Sequence, residues 1–528
     1  MEATATLRNS RLFSDINPEW IRWIIAITVS LGAILEIIDT SIVNVALPHM
    51  QGNLGATLSE IGWVVTGYAI ANVIIIPLTA WLGDFFGKKA YFVFSLIGFT
   101  VASVMCGFAA TLPALVASRI LQGLCGGGLL AKAQSILFET FPPEEQGMAQ
   151  ALFGVGVIVG PVIGPTLGGY LTDTLGWRWI FFINIPFGIV AVLMAMLFLP
   201  PGEARKKNPV DWTGIILLCI WIGSLQTMLE QGQQYDWFSS PLIVTLAVLA
   251  FVGLLLFIWR ELTTRFPAVD LRVLRYKSLT AGSIFSAVMG VGLYGSMFAI
   301  PIFAQSILHY TAMQTGMLML PGALASAAMM PVMGKLSNKV DPRILIGIGS
   351  VITTIVMFML STLNPQTGSD DLFWPLMIRG IGSVFMFMSL SIATIGPLPK
   401  KDIPAATGFY NLTRQMGGSI GVAALTLILD RREAFHRGVL TEHVNLFNHA
   451  AMDRINQLTT MFAGRGIDPL TAHKQALAVI DQSINMQSAL LSFEDIFWIV
   501  GVLFIVSMAL LLFLASGNAR GQIDPQVT

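Results

Sequence analysis

Glu36, Asp39, Arg119, Lys132, Arg379 and Arg414 are charged side chains set inside stretches that are otherwise almost wholly apolar. Charge in such surroundings is costly and by default marks a functional site. The two carboxylates have a specific capability. Burial favours the protonated acid and a nearby cation favours the ionised form, so a rearrangement that alters either one moves a proton. Glu36 and Asp39 are three residues apart, and at 100° per residue Glu36, Asp39, Thr40 and Asn44 share one broad face of a helix.

The elements that must position these groups are membrane helices. The chain of 528 residues is 55% hydrophobic and only 11% charged, against roughly 25% charged in soluble domains. Lipid must be the solvent for most of its surface. Net charge is zero, from 30 basic and 30 acidic residues, which leaves no basis for a nucleic-acid partner. Cys106, Cys125 and Cys219 lie in apolar runs without the spacing of a metal site or a disulfide framework.

About fourteen stretches reach the roughly 20 apolar residues that a bilayer crossing needs: 22–47, 59–81, 90–110, 112–138, 147–171, 178–200, 212–231, 241–260, 279–308, 314–334, 343–363, 372–397, 404–430 and 493–516. The first of them follows no cleavage site and is expected to remain as an anchor. Placing the N-terminus inside gathers Arg8, Arg11, Arg22, Lys88, Lys89, Arg205, Lys206, Lys207, the basic run from Arg260 to Lys277, Lys335, Lys339, Arg343, Lys400, Lys401 and Arg520 on one side. Among the short loops opposite, only Arg178 is basic. This is the positive-inside pattern, with both termini cytoplasmic.

On that cut, Asp39 lies about 12 Å below the outer end of its helix and Arg119 about 10 Å below the outer end of span 4, at 1.5 Å per residue. They can meet at one depth, either as a proton-exchange pair or as a static ion pair holding the helices together. Glu36, one turn deeper, can share or relay the proton, since neighbouring carboxylates titrate together. Lys132 is about 20 Å further along span 4 and is expected to snorkel to the cytoplasmic interface. Arg414 lies in the Asn411–Gly421 stretch, and it and Arg379 suit structural bonding or substrate contact. Thr57 and Glu60 read as a capping box at the start of span 2.

Residues 77–89, with Asp84, Gly87 and Lys88 joining spans 2 and 3, are echoed by residues 331–343 between spans 10 and 11, which suggests an internal repeat. The glycines Gly156, Gly160, Gly164, Gly168 and Gly169 give span 5 a surface for close helix approach. Pro161 and Pro165 remove backbone donors and kink it. Such a helix can seal one bundle against another, or pack permanently on its neighbour.

Taken in order along the chain, these motifs resemble those of the major facilitator superfamily. Within it the likeness is to the fourteen-helix drug:proton antiporters, carried by Leu35–Pro48 in span 1, Leu115–Gly123 in span 4, Gly156–Gly169 in span 5 and Trp177–Pro186 after it. Segment 224–240 and the long connection before the last span are similar to the EmrB type of multidrug exporter. Phe85 departs from the superfamily, which usually has an arginine there. Glu36 and Lys132 are also unusual for the group.

The resemblance implies an all-α polytopic membrane protein of two pseudo-symmetric six-helix bundles, 1–200 and 266–528, with two inserted helices and linkers at 201–265. It implies export of amphipathic toxic small molecules across the bacterial inner membrane, driven by protons and needing no cofactor or metal. Asp39, Glu36 and Arg119 would carry the coupling; Asp84, Gly87, Lys88 and the span 5 glycines and prolines would gate. Asn44, Gln122, Tyr294, Phe298, Asn411 and Arg414 would line the substrate pocket. The connection 431–492 mixes polar and apolar residues in a helix-compatible way. It would be either a passive lid or a dock for a periplasmic membrane-fusion adaptor leading to an outer-membrane channel. An enzyme is disfavoured, since the metalloprotease and phosphate-loop signatures HExxH and GxxxxGK[ST] are absent. A passive facilitator, an importer and an exporter of an endogenous metabolite or lipid are the remaining alternatives.

Overall fold

The computed structural model describes residues 18–201, 209–364 and 366–514; Arg8, Arg11, Arg205, Lys206, Lys207 and Arg520, placed inside above, lie outside the described residues. No strand occurs among the described residues. Fourteen helices there are long and apolar enough to cross a membrane, the number expected.

Helix α1 (Pro18–Leu54) is followed by α2 (Leu58–Phe86) and α3 (Lys88–Phe108). The capping box read at Thr57 is present, with Glu60 N–H donating to Thr57 and the Glu60 carboxylate accepting from Thr57 N–H. Gly87 has φ +87°, a conformation that an L side chain rarely adopts, and it permits the sharp junction of α2 and α3.

Span 4 is not one helix. It divides into α4 (Leu112–Gly126) and α5 (Leu129–Thr140), because Gly126, Gly127 and Gly128 stand in a row where only glycine fits. A Cβ on Gly127 would come within 2.6 Å of the Asn72 carbonyl oxygen, and one on Gly126 within 2.5 Å of the Phe99 ring. The interruption leaves the first N–H groups of α5 without helical partners.

Helix α6 (Pro143–Thr174) carries Pro161 and Pro165 inside it, and α7 (Trp179–Phe182) leads into α8 (Asn184–Phe198). Helices α1–α8 pack as one bundle. The glycine stripe of α6 faces α1: a Cβ on Gly160 would lie 2.7 Å from Ile37, one on Gly168 2.8 Å from Ile42, and those on Gly156 and Gly164 would overlap Ile34 and Ser41. Gly169 approaches Val45 of the same helix. The stripe therefore packs α6 on α1 within the first bundle, the second of the two arrangements open to it from the sequence. A different face of α6, with Gly147, Gly154 and Thr166, meets the second bundle.

Helices α9 (Trp212–Gln231) and α10 (Pro241–Thr263) form an antiparallel pair against α2. They are the least buried of the fourteen spans. Asp211 caps α9 and is gripped by the Arg260 guanidinium at 2.9 Å.

The second bundle comprises α11 (Lys277–Ser306), α12 (Ala312–Leu336), α13 (Pro342–Leu360), α14 (Ser369–Ile395), α15 (Ile403–Glu442) and, after α16 (His449–Ala463), α17 (Pro469–Ser507). Thr311 and Gln314 cap α12 as Thr57 and Glu60 cap α2, a second trace of the repeat. Span 13 was expected to end at 430, but α15 continues to Glu442 and α17 starts at Pro469, so the last two spans project as a helical pair with α16 packed on it. The projection is tied by Asp495, which accepts from Arg432 at 2.6 Å and pairs with His436 at 2.8 Å, and by Arg437 on Asp481 at 3.1 Å.

The bundles meet along α6 and α12, and along α2, α5 and α15. Contacts that join them at the end carrying Lys88 and Arg343 include the Asn338 amide on the Glu144 carbonyl and Gly147 against Gly334 and Ser337.

Candidate functional site

The site is built on α1. Asp39 is fully buried and its Oδ2 accepts from Arg119 of α4 at 2.6 Å. Its Oδ1 accepts from Gln122 Nε2 at 2.9 Å and from Asn184 Nδ2 at 2.9 Å. Arg119 also donates to Gln122 Oε1 at 2.7 Å and to the Val64 carbonyl at 3.2 Å, and its guanidinium lies 4.1 Å over the Tyr68 ring. Asn184 is held in turn by Ser103, at 3.0 Å. One carboxylate thus gathers groups from α1, α4 and α8, and every member is at most 5% exposed. A charge pair buried this deeply persists only when its remaining donors and acceptors are satisfied.

Glu36 sits one turn along the same face. Its Oε1 accepts from Asn72 Nδ2 of α2 at 2.8 Å, and its Oε2 accepts from Leu130 N–H at 2.8 Å. Leu130 is in the first turn of α5, so the glycine interruption supplies an unpaired N–H and the positive end of a helix dipole. The Glu36 carboxylate takes the place of the preceding helical turn.

The same first turns of α5 reach the second bundle. Gln134, four residues beyond Leu130, accepts at 2.7 Å from Asn411 Nδ2, and Asn411 Oδ1 accepts from Arg414 at 2.6 Å. Arg414 is 2% exposed, lies 5.2 Å over the Phe387 ring and leaves Nη1 without a protein partner. Arg379 likewise has a buried, unpartnered Nη1. Tyr294 donates to Gln415 at 3.0 Å, while Phe298 is half-buried. Asn44 is exposed and takes no part in the Asp39 cluster.

On the terminus side, Lys88 pairs with Glu139 of α5, and Phe85 stacks on Trp81 at 5.5 Å. Asp84 and Phe85 line a cleft of about 350 Å³ with the linker 265–273 and the start of α15. Lys132 does not reach the surface: it is 2% exposed, with its ammonium packed against Gly83 and no hydrogen-bond partner in the protein. The snorkelling expectation is overturned because α5 turns this side chain into the interior between α2 and α3.

Tyr68, Asn72 and Ser103 escaped the sequence reading, although Asn72 is a polar residue inside an apolar run, the same signal that marked Asp39. Asn184 stood inside a recognised segment, Trp177–Pro186, without an assigned role.

The sequence model of the Major Facilitator Superfamily matches residues 29–422. The chain belongs to that superfamily. Among major facilitator proteins it is 36% identical over 492 residues to "Multidrug export protein EmrB" of Escherichia coli (strain K12), covering 93% of this chain and 94% of that one. It is 32% identical to "Fatty acid resistance protein FarB" of Neisseria gonorrhoeae, covering 91% and 94%. The solved structure of the major facilitator proton:xylose symporter XylE superposes with a TM-score of 0.61 at 13% identity, covering 95% of this chain and 98% of that one, a likeness of fold. As a member of a transporter superfamily, the chain is a multi-pass membrane transporter and not an enzyme.

Proposed function

We propose that this transporter exports amphipathic toxic compounds or drugs across the bacterial inner membrane in exchange for protons, with both termini cytoplasmic. The observation that carries the reading is Asp39, a buried carboxylate held at 2.6 Å by Arg119, with Glu36 one turn away. A membrane potential of 100 mV supplies about 2.3 kcal/mol per charge moved, and a transporter draws on it through a group whose protonation differs between its facing states. Asp39 can be that group, since movement of Arg119 relative to it would change its proton affinity. Gln122, Asn411, Arg414, Tyr294 and Phe298 are the side chains assigned to substrate, with Asn44 on the exposed approach. Asp84, Gly87 and Lys88 are assigned to switching.

The extended identity with a protein named for multidrug export supports the substrate class. We place the chain as the inner-membrane part of a tripartite pump, its α15–α17 projection docking a periplasmic adaptor that leads to an outer-membrane channel. The test is substrate-induced proton movement in proteoliposomes carrying wild type or Asp39→Asn. Asp39→Asn is expected to lower coupled flux by at least about tenfold while insertion is retained. Wild-type flux in that variant would remove Asp39 from the mechanism.

A further inference from the structure

A group of buried polar atoms lies between Glu36 and the terminus-side surface, and the Asp39 cluster does not use them. The Tyr91 hydroxyl of α3 is buried, and apart from a weak interaction with Ser95, one turn along the same helix, it makes no hydrogen bond within the protein. It lies against Gly128, where a Cβ would overlap it and would also come within 2.7 Å of Thr79. Gly128 is two residues before Leu130, whose N–H holds Glu36. The Lys132 ammonium, also unpartnered, lies against Gly83. Thr79 and Gly83 are one turn apart on α2, a rise of about 6 Å, so one or two water molecules can join the phenol to the amine. Beyond Lys132 stand the charged groups of the three helices around it: Asp84 on α2, Lys88 on α3 and Glu139 on α5. Lys88 is paired with Glu139 and reaches the surface.

We propose that Tyr91 and Lys132 form a proton path through the first bundle, leading from Glu36 to the Glu139–Lys88 pair at the terminus-side surface. Buried polar groups without protein partners are ordinarily satisfied by ordered water, and here they are ranged in sequence between a carboxyl and the surface. Protonated Glu36 gives its proton to a water, which passes one of its own to the Tyr91 oxygen as the phenol hands its O–H proton onward, so water and phenol both end neutral. The Lys132 ammonium first releases a proton, through water, to Glu139 or to solvent, and the amine so formed takes up the proton handed on by Tyr91 and is ammonium again. Each passage moves one proton and changes no other bond. The packing explains why a lysine is kept inside the bundle. A lysine can lose and regain its proton when buried, whereas arginine stays charged.

The inference adds an exit route to the proton coupling proposed above, and its test needs no transport substrate. The full-length chain in detergent is taken through a rapid pH jump, and protonation of Glu36 is followed at its infrared carboxyl band, assigned by its loss in Glu36→Gln. Tyr91→Phe and Lys132→Arg are each expected to slow the change about tenfold or more, with unaltered amplitude and melting temperature. Should Lys132→Arg fail to fold, Tyr91→Phe and Lys132→Gln carry the same test. Wild-type rates in the variants, or a Glu36 band that ignores pH, overturn the route. So does a rate lost in Lys132→Gln and restored in Lys132→Arg, which would assign Lys132 a static charge. A chain that relays protons to Glu36 yet exchanges none for a drug would overturn the proposed function and leave the route standing.

Discussion

Arg119 and Asp39 are each satisfied mainly by the other and by the shared Gln122. Truncating Arg119 alone strands a buried carboxylate, so Arg119→Ala is expected to destabilise the protein by about 3 kcal/mol or more, read as a fall in melting temperature in detergent. Neutralising both partners removes the stranded charge, and Asp39→Asn combined with Arg119→Gln should recover much of that loss without recovering transport. A double variant no more stable than Arg119→Ala would mean that packing of the guanidinium on the Tyr68 ring and on Phe181, whose ring centre is 5.8 Å away, and not charge, dominates the site. Glu36 has a gentler environment, with one amide and one backbone N–H for partners. Glu36→Gln retains the shape and one acceptor, so its effect on coupled flux should be milder than that of Asp39→Asn.

At the scale of elements, the broken fourth span matters most. The break at Gly126–Gly128 creates the helix end that binds Glu36, and it brings the chain onto the α2 backbone at Asn72 and against the Phe99 and Tyr91 side chains of α3. Gly127→Val would press side-chain atoms onto the Asn72 backbone, where no side chain can give way. We expect a cost of about 1–3 kcal/mol and displacement of Asn72 from Glu36, measured as lowered melting temperature together with a shifted Glu36 carboxyl band. An unshifted band with normal stability would show that the break is not required. The other distinctive element is the projection of α15 and α17 with α16, held by pairs around Asp495 and Asp481 and carrying Phe447 90% exposed near its tip. Replacing residues 440–485 with a short linker is expected to abolish adaptor pull-down and whole-cell resistance while leaving proteoliposome transport in place. Retention of both pull-down and resistance would exclude the projection as the dock.

At the scale of the whole molecule, the bundles are joined on the terminus side by Gln134 with Asn411, by Asn338 with Glu144, and by Gly147 seated on the Gly334 backbone. A transporter alternates by rocking one bundle against the other around a central site, so these contacts must part in the opposite facing state. Gly147→Leu puts a branched side chain where a Cβ would already lie 2.5 Å from the Gly334 carbonyl. It is expected to wedge this end open, raising the rate at which a thiol reagent labels a cysteine placed at Gln134 by about tenfold, the equivalent of roughly 1.4 kcal/mol of population shift. Unchanged labelling with an intact fold would show that the bundles part elsewhere.

Composition and spacing alone specify the solvent, the number of spans, the helical class and the ionisable pair at the heart of the site. Each follows from local rules: the cost of charge in lipid, the length of a bilayer crossing and the helical rise of about 1.5 Å per residue that puts Asp39 and Arg119 at matching depths. Even the cap at Thr57 was legible, because a capping box is written within four residues. Rotation and partnership were not. That the α6 glycines face α1, that Lys132 turns inward to Gly83, and that Gln134 bonds Asn411 across 277 positions of chain depend on which face each helix presents to its neighbours. Hydrophobic periodicity is a poor guide to that choice in a membrane protein, where the lipid-facing side is as apolar as the core. Tertiary packing decided it, through close glycine contacts and the need of each buried polar group for a partner.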